Sequence, residues 1–142
     1  TPGDPSEIIP KPPIEPAPLT FKEVDWDGFQ QEIAGYKGKT VVVDCWATWC
    51  TTCKAKFPKY VELAKSYANR SEIVFANLAN DEDEEKNEEI KEFVTKSGAT
   101  MPTYRLGIDP ADFANNMQVD GVPAYVIYDT EGAVAFRSNS LE

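Results

Sequence analysis

Two cysteines three positions apart, Cys50 and Cys53, fall where a hydrophobic run gives way to a helical one in VVVDCWATWCTTCKAKFP, residues 41–58. A thiol at such a strand-to-helix junction meets unpaired backbone N–H groups and the positive end of the helix dipole, and both favour its anion. Free cysteine has a pKa of about 8.5, cysteines at helix N-termini or in Cys-x-x-Cys pairs fall to ~3.5–7.5, and thiolate is the species that attacks a disulfide. Cys50 is therefore the expected nucleophile. Cys53, one helical turn on, can reach back and resolve the mixed disulfide that Cys50 forms with a substrate. Lys54 and Lys56 follow directly; they either add positive potential or are ordinary helix-surface lysines.

The same spacing could be half of a zinc site, but the second pair of ligands is missing: the only other cysteine is Cys45, and the chain contains no histidine. No metal site is expected. Without imidazole, Ser-His-Asp hydrolysis, Cys-His proteolysis and HExxH chemistry also fall away. The 14 basic and 24 acidic side chains leave a formal charge of −10, which repels phosphate backbones and anionic lipid surfaces, so nucleic acid is not an expected partner. With 142 residues, 42% hydrophobic and 27% charged, the chain suits one globular unit with its own core. Its longest apolar runs are only a few residues, against the ~20 needed to cross a bilayer.

The elements that must position these thiols read out in order. Residues 19–24 alternate as a strand; Trp26, Phe29 and Ile33 mark a short helix ended by Gly35 and Gly38. Residues 40–46 form a β-branched run suited to a strand buried on both faces. A helix over about 50–69 follows, with Phe57, Tyr60, Val61, Ala64 and Tyr67 on one face and a kink at Pro58. Residues 73–78 read as a strand and about 84–96 as a helix with Ile90, Phe93 and Val94 inward. The acid cluster Asp81, Glu82, Asp83, Glu84 and Glu85 reads as a solvated helix start; it lacks the spacing and the glycine of a calcium loop. Residues 103–106 form a short strand, and Asp109-Pro110 caps a short helix through Phe113 and Met117. Residues 124–128 and 133–137, joined by Asp129-Thr130-Glu131-Gly132, close the pattern as a hairpin. Strands alternating with helices and ending in a hairpin imply an α/β sandwich with a mixed sheet.

Seven of the eleven prolines lie in residues 1–18, a stretch that favours extended polyproline II and cannot pack a core. It reads as a tether or spacer, or as a leader of no consequence, ahead of a domain over 19–140. With no initiating Met, the chain is expected to start downstream of a removed signal or anchor.

WATWCTTC followed by a helix carrying Pro58, and Gly121-Val122-Pro123 just before a hairpin, resemble the thioredoxin superfamily. From about Phe21 to Arg137 the chain is similar to the bacterial, extracytoplasmic TlpA/ResA-type thiol-disulfide oxidoreductases. The resemblance implies a thioredoxin-like sandwich, a mixed central β-sheet flanked by helices. It makes Cys50 the attacking and Cys53 the resolving cysteine, and puts Trp46 and Trp49 on an aromatic shelf beside them. It also makes Pro123 a cis-proline facing the disulfide, with Val122 offering backbone groups to an extended substrate strand. Asp44 matches the buried acid beneath the resolving cysteine, where it takes the proton of Cys53; the alternative is a carboxyl that bonds nearby backbone and only shapes its strand.

The chain departs from the family pattern at four places. Thr51-Thr52 replaces the proline-containing pair between the cysteines, and Asn77 stands where thioredoxins carry a lysine near the buried acid. Cys45 replaces a bulky apolar residue and, pointing away from Asp44, is expected to be a buried, inert hydrophobe. The chain also stops soon after its last strand, where thioredoxins end on a helix. Either it is cut short, or that face is covered by the N-terminal segment or a partner.

By this resemblance the chain is expected to be an enzyme, a reductant of the cell envelope. It would exchange electrons with cysteines or disulfides of protein substrates, and be recharged by an upstream redox partner protein. Some members of the group serve haem attachment in cytochrome c maturation. No cofactor is expected, because the electrons travel through sulfur. A membrane would be met only through an N-terminal anchor absent from this chain. Two other readings use the same residues: a Cu(I)-handling module gripping the soft ion with both thiols, and a non-enzymatic interaction domain with a structural disulfide.

Overall fold

The computed structural model describes residues 20–139. The stretch read as a tether, 1–18, and Leu19, expected to open the first strand, lie outside the described residues.

Eleven segments follow one another: β1 (Phe21–Val24), α1 (Trp26–Ala34), β2 (Thr40–Trp46), α2 (Thr51–Ser66), β3 (Ile73–Ala79), a 3-10 turn (Glu84–Lys86), α3 (Asn87–Lys96), β4 (Thr103–Leu106), α4 (Pro110–Met117), β5 (Ala124–Tyr128) and β6 (Val134–Ser138). The strands make one mixed sheet in the order β1-β4-β3-β2-β5-β6. β1, β4, β3 and β2 run parallel; β5 and β6 run antiparallel to their neighbours. This is the α/β sandwich with a mixed sheet expected from the alternation of strands and helices, and it is the arrangement that the thioredoxin resemblance implies.

β2 lies at the centre, and successive side chains of a strand point to opposite faces. Val41, Val43 and Cys45 enter one core with Phe29 and Ile33 of α1 and Phe113 and Met117 of α4. Val42 and Trp46 face the other side, where Phe57, Tyr60 and Val61 of α2 and Ile90 and Val94 of α3 cover the sheet. A strand clothed on both faces has no polar face to show, so β2 opens on four β-branched residues, Thr40 to Val43, with no polar alternation between them.

Helix ends are set by caps. α2 begins one residue later than expected because Cys50 is its N-cap, and it ends at Ser66, with Tyr67 as the C-cap. Tyr67 is therefore more than a third exposed, its ring centroid 5.8 Å from that of Phe75. The helix expected over 84–96 divides: Asp83 caps the 3-10 turn by accepting from the Glu85 N–H, and α3 starts at Asn87. Asp109 caps α4 as expected, its side chain accepting from the Ala111 N–H at 2.7 Å.

On the α2 side of the sheet the alternation of β5 points Ile127 outward beside Phe136 of β6, its register partner. Phe136 is 50% exposed, and among the described residues no helix follows β6.

Candidate active site

β2 delivers the chain to Trp46, whose carbonyl accepts from the Asn80 N–H at 2.7 Å; a turn over 47–50 then leads into α2, with the Cys50 N–H on the Ala47 carbonyl at 3.1 Å. At the mouth of α2 the Cys50 sulfur does the work of a capping oxygen, accepting from the Cys53 N–H at 3.2 Å. This is where free N–H groups and the helix dipole stabilise negative charge. Cys50 and Cys53 are joined as a disulfide with Cα atoms 5.3 Å apart. Cys50 is partly exposed, whereas Cys53 is buried under the turn. An incoming reactant therefore meets the first sulfur.

The loop before β5 faces this pair. The Val122-Pro123 bond is cis, and the Val122 carbonyl oxygen lies 3.9 Å from the Cys50 sulfur. Gly121 precedes it at φ 135°, a region that a side chain would make costly. Asn139, the residue after β6, brackets the loop, its amide donating to the carbonyls of Gly121 at 3.2 Å and Pro123 at 2.7 Å. Nothing in the spacing of the chain singles out Asn139; it matters because the hairpin carries it back beside the loop.

Trp49 stands beside the cysteines and is 56% exposed. Trp46, expected on the same shelf, is fully buried, and this is a correction: its ring packs on Phe57 at 5.5 Å and Phe93 at 5.1 Å, out of reach of any substrate. Its parity explains the difference. Trp46 still belongs to β2 and points under α2, while Trp49 comes after the strand has ended.

Asp44 is 2% exposed on the α2 side of β2, opposite Asn77 on one neighbouring strand and Tyr125 on the other. Asn77 does not serve it: the Asn77 amide oxygen accepts from the Trp46 indole N–H at 3.0 Å and its nitrogen donates to the Thr103 hydroxyl at 3.0 Å. Among the described residues the Asp44 carboxyl has no hydrogen-bond partner, and burial alone pushes its pKa well above the usual carboxylate range. Cys45 faces away into the other core, where burial first and the Asp44 charge second push its thiol up.

The acid cluster contains a second correction. Asp81 is not solvated: it is buried, one carboxylate oxygen accepting from the Thr48 N–H at 3.1 Å and the other from the Thr48 hydroxyl at 2.8 Å. Arg105, buried in β4, donates to the Asp81 and Glu82 carbonyls, to the Asn87 side chain at 2.7 Å, and to the Glu23 carboxylate. That contact holds Glu23 below the ordinary carboxylate range. An arginine inside a four-residue strand was the available signal, since a buried guanidinium obliges the fold to supply acceptors.

A family model described as Redoxin matches residues 13–140. The chain belongs to the Redoxin family. Within that family it is TlpA/ResA-like: it is 28% identical over 116 residues to the thiol-disulfide oxidoreductase ResA of Geobacillus kaustophilus, covering 80% of this chain and 62% of that one. It is 29% identical over 107 residues to the thioredoxin-like protein YneN of Bacillus subtilis, covering 75% and 60%. The chain thus spans less than two thirds of the length of these curated relatives. The crystal structure of a thiol:disulfide interchange protein of the thioredoxin family from Chlorobium tepidum superposes with a TM-score of 0.58 at 27% identity, covering 75% of this chain and 73% of that one.

Proposed function

We propose that this Redoxin-family chain is a thiol-disulfide oxidoreductase that reduces disulfides of other proteins through Cys50 and Cys53. One observation carries the reading: an accessible sulfur sits at a helix mouth, joined to a buried sulfur one turn on, with the carbonyl of a cis X-Pro bond alongside. The names of ResA and of the Chlorobium protein support it.

In the reduced protein the Cys50 thiolate attacks one sulfur of a substrate disulfide. That S–S bond breaks, and the departing substrate thiolate takes a proton from water. The Cys53 thiol then loses its proton to the Asp44 carboxylate and attacks Cys50. The mixed disulfide opens and its substrate sulfur leaves as a thiolate that takes a proton from water, which gives an oxidised Cys50–Cys53 pair and a substrate dithiol; two electrons pass to the substrate, and Asp44 returns its proton to water. Burial raises the pKa of Asp44, which makes its carboxylate a stronger base than a solvated one. Val122 pairs with the substrate backbone beside Pro123, and Trp49 covers the apolar part of the contact.

An upstream dithiol protein returns the pair to its reduced form. The site of action is the bacterial cell envelope, a reading supported by the proline-rich leader ahead of the domain. Among the described residues no helix is long and apolar enough to cross a membrane. Turbidimetric reduction of insulin disulfides under dithiothreitol tests the activity. The wild-type chain accelerates it, Cys50→Ser falls to background, and Cys53→Ser accumulates a mixed disulfide through Cys50. A wild-type rate equal to that of dithiothreitol alone refutes the reading.

A further inference from the structure

Thr48 lies two residues before Cys50, in the turn that carries the chain from β2 into α2. The turn has one short backbone bond of its own, Cys50 N–H to Ala47 carbonyl, and its other ties come from outside. Asp81 takes both the N–H and the hydroxyl of Thr48, and the Lys54 ammonium reaches the Thr48 carbonyl at 3.4 Å. A carboxylate offers two oxygens and no donor, so it can hold an N–H and an O–H together without competition. Asp81 is itself immobilised, because Arg105 donates to its carbonyl at 2.9 Å and to that of Glu82 at 3.0 Å. The same guanidinium reaches Asn87 at the start of α3 and Glu23 on β1. A rigid pin through β1, β4 and α3 therefore ends on the residue that steers the turn.

We infer that Asp81 is a positioning residue for Cys50. By gripping Thr48 at two points it fixes the turn over 47–50, and so keeps the Cys50 sulfur on the Cys53 N–H and beside the Val122 carbonyl. The inference rests on Cys50 being the attacking thiol. Stabilisation of an anion by a helix terminus fades within the first turn, so a turn that swings loses it and the thiolate with it. Asp81 also brings negative charge close to the site, which by itself disfavours a thiolate. Loss of position and loss of charge thus act with opposite sign.

The test is the pH profile of alkylation by iodoacetamide in the reduced full chain, with Cys50 assigned by peptide mapping. Asp81→Ala is expected to move the Cys50 profile to higher pH with an unchanged alkaline plateau; on the acid limb the rate falls about tenfold when the profile moves by one pH unit. Asp81→Asn keeps the grip, its amide oxygen accepting from the Thr48 N–H and its nitrogen donating to the Thr48 hydroxyl, so its profile does not move to higher pH and, with the charge gone, lies at or below that of the wild type. Thr48→Ala moves the profile the same way as Asp81→Ala, and Thr48→Ser does not. An Asp81→Ala profile identical to wild type overturns the inference, as does faster acid-limb alkylation in both Asp81 variants, which is a charge effect. If Asp81→Ala does not fold, equal profiles for Thr48→Ala and Thr48→Ser overturn it. Alkylation needs no protein substrate, so failure of the oxidoreductase reading shows separately, as a wild-type chain with an intact profile and no insulin reduction.

Discussion

Replacing Asp44 by Asn removes the one buried carboxyl that has neither a cation nor a hydrogen-bond donor beside it among the described residues. In the unfolded chain Asp44 gives up its proton near pH 4, whereas in the folded chain burial holds the proton to well above that. Between the two values unfolding releases a proton, so the native state loses stability as pH rises. The slope is one proton's worth, about 1.4 kcal/mol per pH unit, and it flattens once pH passes the folded value. The asparagine amide does not titrate. The variant is therefore expected to match the wild type near pH 4 and to gain on it by about 1.4 kcal/mol per unit above, or roughly 5 °C in Tm for a domain of this size. Urea unfolding of the oxidised proteins across pH 4–7 measures the difference, in which every other titration cancels. Parallel profiles would refute the buried, unpartnered state of this group. The kinetic counterpart is a slower second step: in Asp44→Asn, resolution of the mixed disulfide by Cys53 slows more than the attack by Cys50. Equal slowing of both steps would remove Asp44 from the proton path.

Two further outcomes follow from the packing. Phe57 is fully buried with its ring 5.5 Å from Trp46, 5.3 Å from Phe93 and 6.3 Å from Tyr60, so Phe57→Ala is expected to cost about 3–5 kcal/mol in urea unfolding. A loss below about 1 kcal/mol would mean that this core collapses to fill the gap. Trp49→Ala, at an exposed site, leaves stability within about 0.5 kcal/mol of wild type. It raises KM for a protein disulfide several-fold more than for a small aromatic disulfide, and an equal effect on both would show that Trp49 does not touch the protein substrate.

What could be read in the residues and what could not divides by the range of the interaction. β2, β4 and β5 have the limits that their β-branched and aromatic runs predict, and α4 begins at its expected cap, because each is decided by neighbours a few residues away. The cysteine pair was legible for the same reason: spacing and a strand-to-helix junction suffice. Trp46 lies in the core and not on the shelf expected for it, and the signal for this is local: it shares the parity of Val42 and Asp44 and must follow them under α2. Asp81 is a different case. Its five-residue cluster looks uniform, and what separates Asp81 from Glu82 to Glu85 is a guanidinium 24 residues on, a partner that no local pattern can weigh. The clue lay in Arg105 itself. A cation in the middle of a short strand buried on all sides has to find acceptors, and the carbonyls of 81 and 82, the Asn87 amide and the Glu23 carboxylate are those acceptors. Once the loop after β3 is held by that demand, the Asp81 side chain is left with one place to point, towards Thr48. The geometry of the reactive turn is thus decided by a buried charge in another strand.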